Sequence, residues 1–312
     1  MKPLRPAVFS HSSLDSFSWE DRRNGKEFIE HVFSIASSFP SLLLAFSAHP
    51  GLKDVAEKIA GEFIKSGINV FLSKISLPLS ALSLSLVKRS MPLGLYLSEG
   101  SDGSYQLLAL AGHGGPIDIG DNEIGKTSKI ACSGVIGETD MLGPYVEQIA
   151  GLLDFFNTDG PGLSHLESPF GALEEEMRKN HSFRILSRRD VNGPKAIIDP
   201  TGESLQVITK DGIKISTPSI VETIGKYLVG IRLSNGTIIG PEGTTSIVKG
   251  WGTPYEVSGD SLNMSHLATF SDLLIGWWEP GIVAHQGHSP FGDAYLTLAY
   301  LLEAWANDES GE

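Results

Sequence analysis

The chain is poor in cysteine, poor in positive charge and without a long apolar run, and each shortage removes a class of function. One cysteine, Cys132, among 312 residues leaves no intramolecular disulfide to form, and a reducing compartment is the simplest setting. Cys132 lies in the apolar run Ile130-Ala-Cys-Ser-Gly-Val-Ile136 and reads as a small core residue, since free cysteine is usually buried and inert. Only 24 lysines and arginines stand against 37 acidic residues, a formal charge of −13. The basic residues are spread along the chain and the pair Arg188-Arg189 is too small to form a patch, which excludes nucleic acid as a partner. No stretch approaches the ~18–20 apolar residues that span a bilayer, and Met1-Lys-Pro-Leu-Arg5 opens without an apolar segment behind it. The reading is a cytoplasmic protein with no membrane partner. Also absent are a Gly-x-Ser-x-Gly elbow, a P-loop, a dinucleotide fingerprint and any repeat that would signal a solenoid or propeller.

What is present is globular composition, with 41% apolar and 20% charged residues, enough apolar surface to offset the entropy of ordering the chain. The length suits two or three domains. Phe28, Ile29, Val32, Phe33 and Ile35 recur at helical spacing before Pro40. Leu42-Leu-Leu-Ala-Phe46 reads as a buried strand. Val55, Ile59 and Phe63 share a helical face that ends at Ser66-Gly67. The strand 69–73, a helix over 79–89 and the strands 94–97 and 105–110 follow. This alternation predicts an α/β protein with mixed, largely parallel sheets flanked by helices. In such sheets ligands collect at the carboxyl ends of strands, which points to the segments after Phe46 and Leu97.

Between Gly137 and Asn192 the pattern weakens to a helix over 145–156, a turn-rich stretch over 157–169 and a charged helix over 174–180. From Pro194 it resumes, with strands 195–198, 205–208 and 237–239 and helices over 219–229 and 293–305. The expected domains are 1–136, a truncated middle domain or linker over 137–193, a further domain over 194–306, and a frayed tail over 307–312.

Several stretches stand in a telling order. Phe9-Ser-His-Ser-Ser-Leu-Asp-Ser16 precedes the first helix; Ser47-Ala-His-Pro-Gly51 follows the buried strand, with Gly67-Ile-Asn-Val70 after the next helix; Gly94-Leu-Tyr-Leu-Ser98 leads into Glu99-Gly-Ser-Asp-Gly103. Asp199-Pro-Thr-Gly-Glu-Ser204 precedes Leu205-Gln-Val-Ile208. Val257-Ser-Gly-Asp260, Gly276-Trp-Trp-Glu-Pro-Gly281 and the helix opening at Gly292-Asp293 come last. In order these resemble the motifs of the α-D-phosphohexomutases, the phosphoglucomutase and phosphomannomutase family, over most of residues 5–115 and 195–305.

The resemblance implies that family's fold, without room for its fourth domain after Glu303. It implies a phosphoserine loop at 98–103, a Mg²⁺ loop at 199–204 and sugar recognition near 276–281. Yet Gly100 falls at the phosphoserine position, the arginines of the opening motifs are missing, and of the three metal carboxylates Asp199 remains with a displaced Glu203. What the resemblance implies is thus a divergent relative that binds a small ligand, such as a sugar phosphate, or a protein partner, without mutase activity. The alternative is an enzyme of the phosphoglucomutase/phosphomannomutase type with an altered site.

Ser98 and Ser101 are the remnant candidates for an acceptor hydroxyl, with Glu99 or Asp102 as base, although the loop's acidity disfavours phosphate. Gly259, Asp260, Trp278 and Glu279 are the candidate ligand-binding residues; paired aromatics at Trp277-Trp278 could stack on a sugar or pack in the core. Asp199 is the candidate metal residue. No cofactor is expected, Mg²⁺ entering only if the 199–204 loop functions. His285-Gln-Gly-His288 with Asp293 has metal-ligand residue types but sits on a loop. Gly112-His-Gly-Gly-Pro116 reads as a connection leaving a strand rather than an oxyanion hole. A homo-oligomer is the expected assembly.

Overall fold

The computed structural model describes residues 2–9, 25–38, 40–119, 133–153, 162–179 and 189–309. The expectations for residues 10–16, Cys132, Arg188 and the last residues of the tail lie outside these. Two compact units divide the chain, Met1–Pro144 and Tyr145–Glu312.

In the first unit the elements run β1 (Lys2–Pro3), β2 (Ala7–Phe9), α1 (Gly25–Ser38), β3 (Ser41–Phe46), α2 (Leu52–Lys65), β4 (Asn69–Ser73), α3 (Leu79–Arg89), β5 (Leu93–Glu99), β6 (Tyr105–Ala111), β7 (Asp118–Ile119) and β8 (Ile136–Thr139), with α4 (Leu142–Leu152) at the division. Six strands form one sheet in the order β2-β6-β5-β3-β4-β8. Strands β5, β3, β4 and β8 are parallel, while β6 and β2 are antiparallel additions.

Both faces are covered, as a parallel sheet requires. On β3, Leu42, Leu44 and Phe46 enter the core shared with Phe28 and Val32 of α1 and Ile59 and Phe63 of α2, whereas α3 packs on β3 and β5. Helix α2 buries Leu52, Val55, Ala56, Ile59, Ala60 and Phe63, one stripe at helical spacing. It stops where Gly67 takes φ 86° and the amides of Gly67 and Ile68 return to the carbonyls of Ile64 and Phe63 at 2.9 and 3.0 Å, which satisfies the last carbonyls of the helix.

The second unit contains β9 (His165–Glu167), α5 (Gly171–Lys179), β10 (Lys195–Ile198), β11 (Leu205–Ile208), β12 (Lys214–Ile215), α6 (Thr217–Gly230), β13 (Thr237–Gly240), α7 (Thr244–Ile247), β14 (Thr253–Glu256), α8 (Ser261–Phe270), β15 (Leu273–Trp278), β16 (Ile282–His285) and α9 (Ala294–Glu309). Two four-stranded sheets result, β12-β11-β10-β9 and β14-β13-β15-β16. Of the stretch 137–193, β8 joins the sheet of the first unit through β4, and β9 pairs with β10 in the second.

The interior of the second unit carries polar groups as well as an apolar cluster of Ile239, Met264, Ala268, Leu273, Trp278 and Ala284. Asp293 caps α9 by accepting the Leu296 amide at 2.9 Å on Oδ1. Its Oδ2 receives the Tyr145 hydroxyl at 2.9 Å and meets His288 Nε2 at 2.7 Å. Glu303, also buried, accepts from the Tyr227 hydroxyl at 3.0 Å and pairs with Arg232. Buried charge persists only with such partners.

Candidate functional site

Parallel strands bring their carboxyl ends to one edge of the first sheet, so Ser47, Ser73 and the end of β5 are neighbours. The Ser47 amide donates to Leu97 O at 2.9 Å, and the buried Ser47 hydroxyl lies 2.9 Å from His49 Nδ1. Ser73 Oγ donates to Ile75 O at 2.7 Å. The Ser47–His49 pair is a polar feature of this edge that its residue types alone do not single out. Its signal in the sequence is its position after the buried strand.

Ser98, half-buried, is still within β5 and pairs across the ladder with Gln106. Beyond it the chain turns at once. Gly100 N donates to Ser104 O at 2.7 Å and Gly103 N to Gly100 O at 2.9 Å, with Gly103 at φ 74°. Asp102 Oδ1 accepts both the amide and the hydroxyl of Ser104, at 3.0 and 2.5 Å. Ser101 is exposed at the tip. This is a closed β-hairpin turn built from turn-forming residues.

In the second unit Asp199 opens the β10–β11 hairpin. Its Oδ1 accepts the Ser204 amide at 2.7 Å, and its Oδ2 the Thr201 amide and hydroxyl at 3.2 and 2.5 Å. Burial, reinforced by the charge of Asp199, pushes the Glu203 carboxyl up to about 8. The Leu205 amide donates to Gly281 O at 2.9 Å, so this loop meets the segment after Trp278. There Glu279 is exposed, yet its Oε2 accepts the Thr217 hydroxyl at 2.9 Å. Thr217 in turn receives the Gly281 amide at 3.1 Å. Asp199 and Glu279 therefore belong to one neighbourhood, organised by Ser204, the end of the 199–204 stretch, and by Thr217, which has no signal in the sequence pattern.

The remaining candidates are placed otherwise. Gly259 and Asp260 are exposed on the loop entering α8, where Asp260 Oδ1 accepts the Asn263 amide at 3.1 Å as the helix cap. Trp277 and Trp278 are 3% and 5% exposed, on opposite faces of β15, with Trp278 inside the apolar cluster. His285 is buried, its Nε2 2.8 Å from Thr297 Oγ1, and burial pushes its ring down to about 3, which keeps it neutral. Gly112–Pro116 closes a turn against Ala111, whose amide donates to Gly115 O at 2.9 Å and whose carbonyl accepts the Gly114 amide at 2.8 Å.

The divalent cation that the resemblance implies does not fit the 199–204 loop. A hard cation needs converging oxygens with open lone pairs. Both Asp199 oxygens are engaged by donors of its own loop, the amide and hydroxyl of Thr201 and the amide of Ser204. Among the described residues no group of three His, Cys, Asp or Glu side chains is placed to hold a metal. Nor is any helix among them long and apolar enough to cross a membrane.

A largely parallel sheet with helices on both faces, and loops gathered at its strand ends, defines a mixed α/β protein. Among solved structures the likeness is to phosphohexomutases. A candidate phosphomannomutase from Thermus thermophilus aligns with TM-score 0.73 at 16% identity, over 99% of this chain and 80% of that one. A phosphoglucomutase/phosphomannomutase family protein from Burkholderia thailandensis aligns with TM-score 0.72 at 14% identity, over 98% and 76%. The open form of the Paramecium phosphoglucomutase parafusin gives 0.65 at 10%, over 91% and 68%. No protein-family profile matches the sequence, and comparison with curated protein sequences finds no significant match. The fold is phosphohexomutase-like.

Proposed function

We propose that this chain is a phosphohexomutase-fold protein that binds a small molecule, a sugar phosphate or a chemical relative, without carrying out the mutase reaction. The turn from Ser98 to Ser104 carries the reading. Phosphoryl transfer needs an acceptor hydroxyl, a base, and cationic groups around the equatorial oxygens. Asp102 is instead bonded to Ser104, Gly100 and Gly103 close the turn through the backbone, and Glu99 and Asp102 add negative charge where a phosphate would approach. A cytoplasmic homo-oligomer is the form in which the protein would act, without a divalent cation.

A second reading, a phosphoglucomutase/phosphomannomutase-type enzyme acting on a sugar phosphate with Ser98 or Ser101 as the phosphoryl acceptor, draws on the Ser47–His49 pair beside β5 as a source of a base. Incubation with glucose 1,6-bisphosphate or mannose 1,6-bisphosphate followed by intact-mass measurement decides between them. An unchanged mass is expected. Stable phosphorylation mapped to Ser98 or Ser101 would overturn the first reading. Calorimetric titration with hexose phosphates then measures ligand binding by itself.

A further inference from the structure

We propose that the loop from Asp199 to Ser204 is a cation-independent clasp, which commits its oxygens and donors to tying the β10–β11 hairpin to the 279–282 segment and to the head of α9. The inner bonds come first. Asp199 O accepts the Gly202 amide at 3.0 Å and Ser204 O the Asp199 amide at 3.2 Å, and the Asp199 carboxylate takes three donors from Thr201 and Ser204. Those N–H and O–H dipoles turn their positive ends toward the carboxylate, the position a cation would need.

The outer bonds give the loop its second role. Gly202 O accepts the Ala294 amide at 2.9 Å, at the first residue of α9, and Leu205 N donates to Gly281 O at 2.9 Å. Ser204 Oγ donates to Pro280 O, and Ser204 and Ile282 form an antiparallel bridge. Two glycines let the backbones come this close. A Cβ on Gly281, whose φ is 71°, would lie 2.4 Å from Leu205 O, and one on Gly292 would lie 2.8 Å from Glu203 O. Neither approach is open to a residue with a side chain without displacing backbone. Sequence-distant pieces are thus joined by direct hydrogen bonds at the loop where the resemblance implies an ion.

The test uses the full chain. Mn²⁺ is titrated while its free-ion paramagnetic resonance signal is followed, and thermal unfolding is compared in EDTA and in millimolar Mg²⁺. The expected result is a free-ion signal matching a protein-free standard, with an unchanged unfolding midpoint. Amide hydrogen exchange is then read in Ser204→Ala and Gly281→Ala. Exchange at Leu205 should be about fivefold faster in Ser204→Ala, the loss expected from one net hydrogen bond, and faster still in Gly281→Ala. Saturable Mn²⁺ binding that disappears in Asp199→Asn would overturn the proposal. So would unchanged exchange at Leu205 in Ser204→Ala, the milder variant that decides the matter if Gly281→Ala does not fold. None of these readouts depends on phosphoryl transfer, so the clasp and the binding function fail separately.

Discussion

Two loops occupy the positions at which the resemblance expects chemistry, and they have become different things. The Ser98–Ser104 loop is closed on itself: Gly100, Asp102, Gly103 and Ser104 bond to one another, and the tip faces solvent. The Asp199–Ser204 loop is bonded inward and outward, to itself and to residues near Gly281 and Ala294. A self-contained turn is set by local residues and can vary without disturbing the fold. A loop whose polar groups complete the bonds of distant segments cannot, because each lost partner leaves another group unsatisfied. One chain thus holds both a turn set by its own residues and a loop that completes the bonds of distant segments.

Substitutions that break this contrast should rank in a definite order. Asp199→Ala removes the acceptor of three donors and should lower the stability of the second unit by about 2–4 kcal/mol, measured by urea unfolding. A loss as small as that of Asp102→Ala, expected at about 0.5–1 kcal/mol, would erase the distinction between the loops.

Next comes pH. The Glu203 carboxyl is raised from 4.5 to about 8 in the folded state, so the folded chain binds the proton more tightly than the unfolded chain. The stability this contributes is complete below pH about 4.5, falls as the pH rises between about 4.5 and about 8, and is gone above that. Glu203→Gln, which stays neutral, should flatten the decline between pH about 4.5 and about 8 in a series of unfolding midpoints. An unaltered slope in the variant would assign the decline to other groups.

Gly103→Ala tests the first loop at its left-handed glycine, φ 74°, and should cost about 1 kcal/mol. Ser101→Ala, at the exposed tip, should stay within about 0.5 kcal/mol of the parent and leave hexose phosphate binding unchanged. A marked loss of binding in Ser101→Ala would return this loop to the functional site.

Much of the first unit was legible in the sequence. The stripe Val55, Ile59, Phe63 and the stop at Ser66-Gly67 mark α2, and the apolar runs at 42–46, 69–73 and 94–97 mark the parallel strands. The later strands were harder. Leu273–Trp278 is buried on both faces, so it shows no alternation from which a strand could be read. Helix α8 has its cap at Asp260 but almost no amphipathic stripe, and the carboxylate read from the sequence as ligand-binding is the one that caps it. At 199–204 the sequence showed a depleted metal motif, but not the clasp, since Ser204 and Pro280 lie 76 residues apart.

Helical periodicity, strand runs and turn chemistry act between residues a few positions apart, so the α/β alternation, the faces that α1 and α2 bury and the closed turn after Ser98 follow from the chain's local order. Tertiary structure alone decided that Trp278 is interior, that Glu279 is held by Thr217, and that the Asp199 loop fastens the 279–282 segment to α9. Those outcomes depend on which distant backbone groups arrive to satisfy a hydrogen bond or fill a gap left by glycine, and no local pattern encodes that arrival.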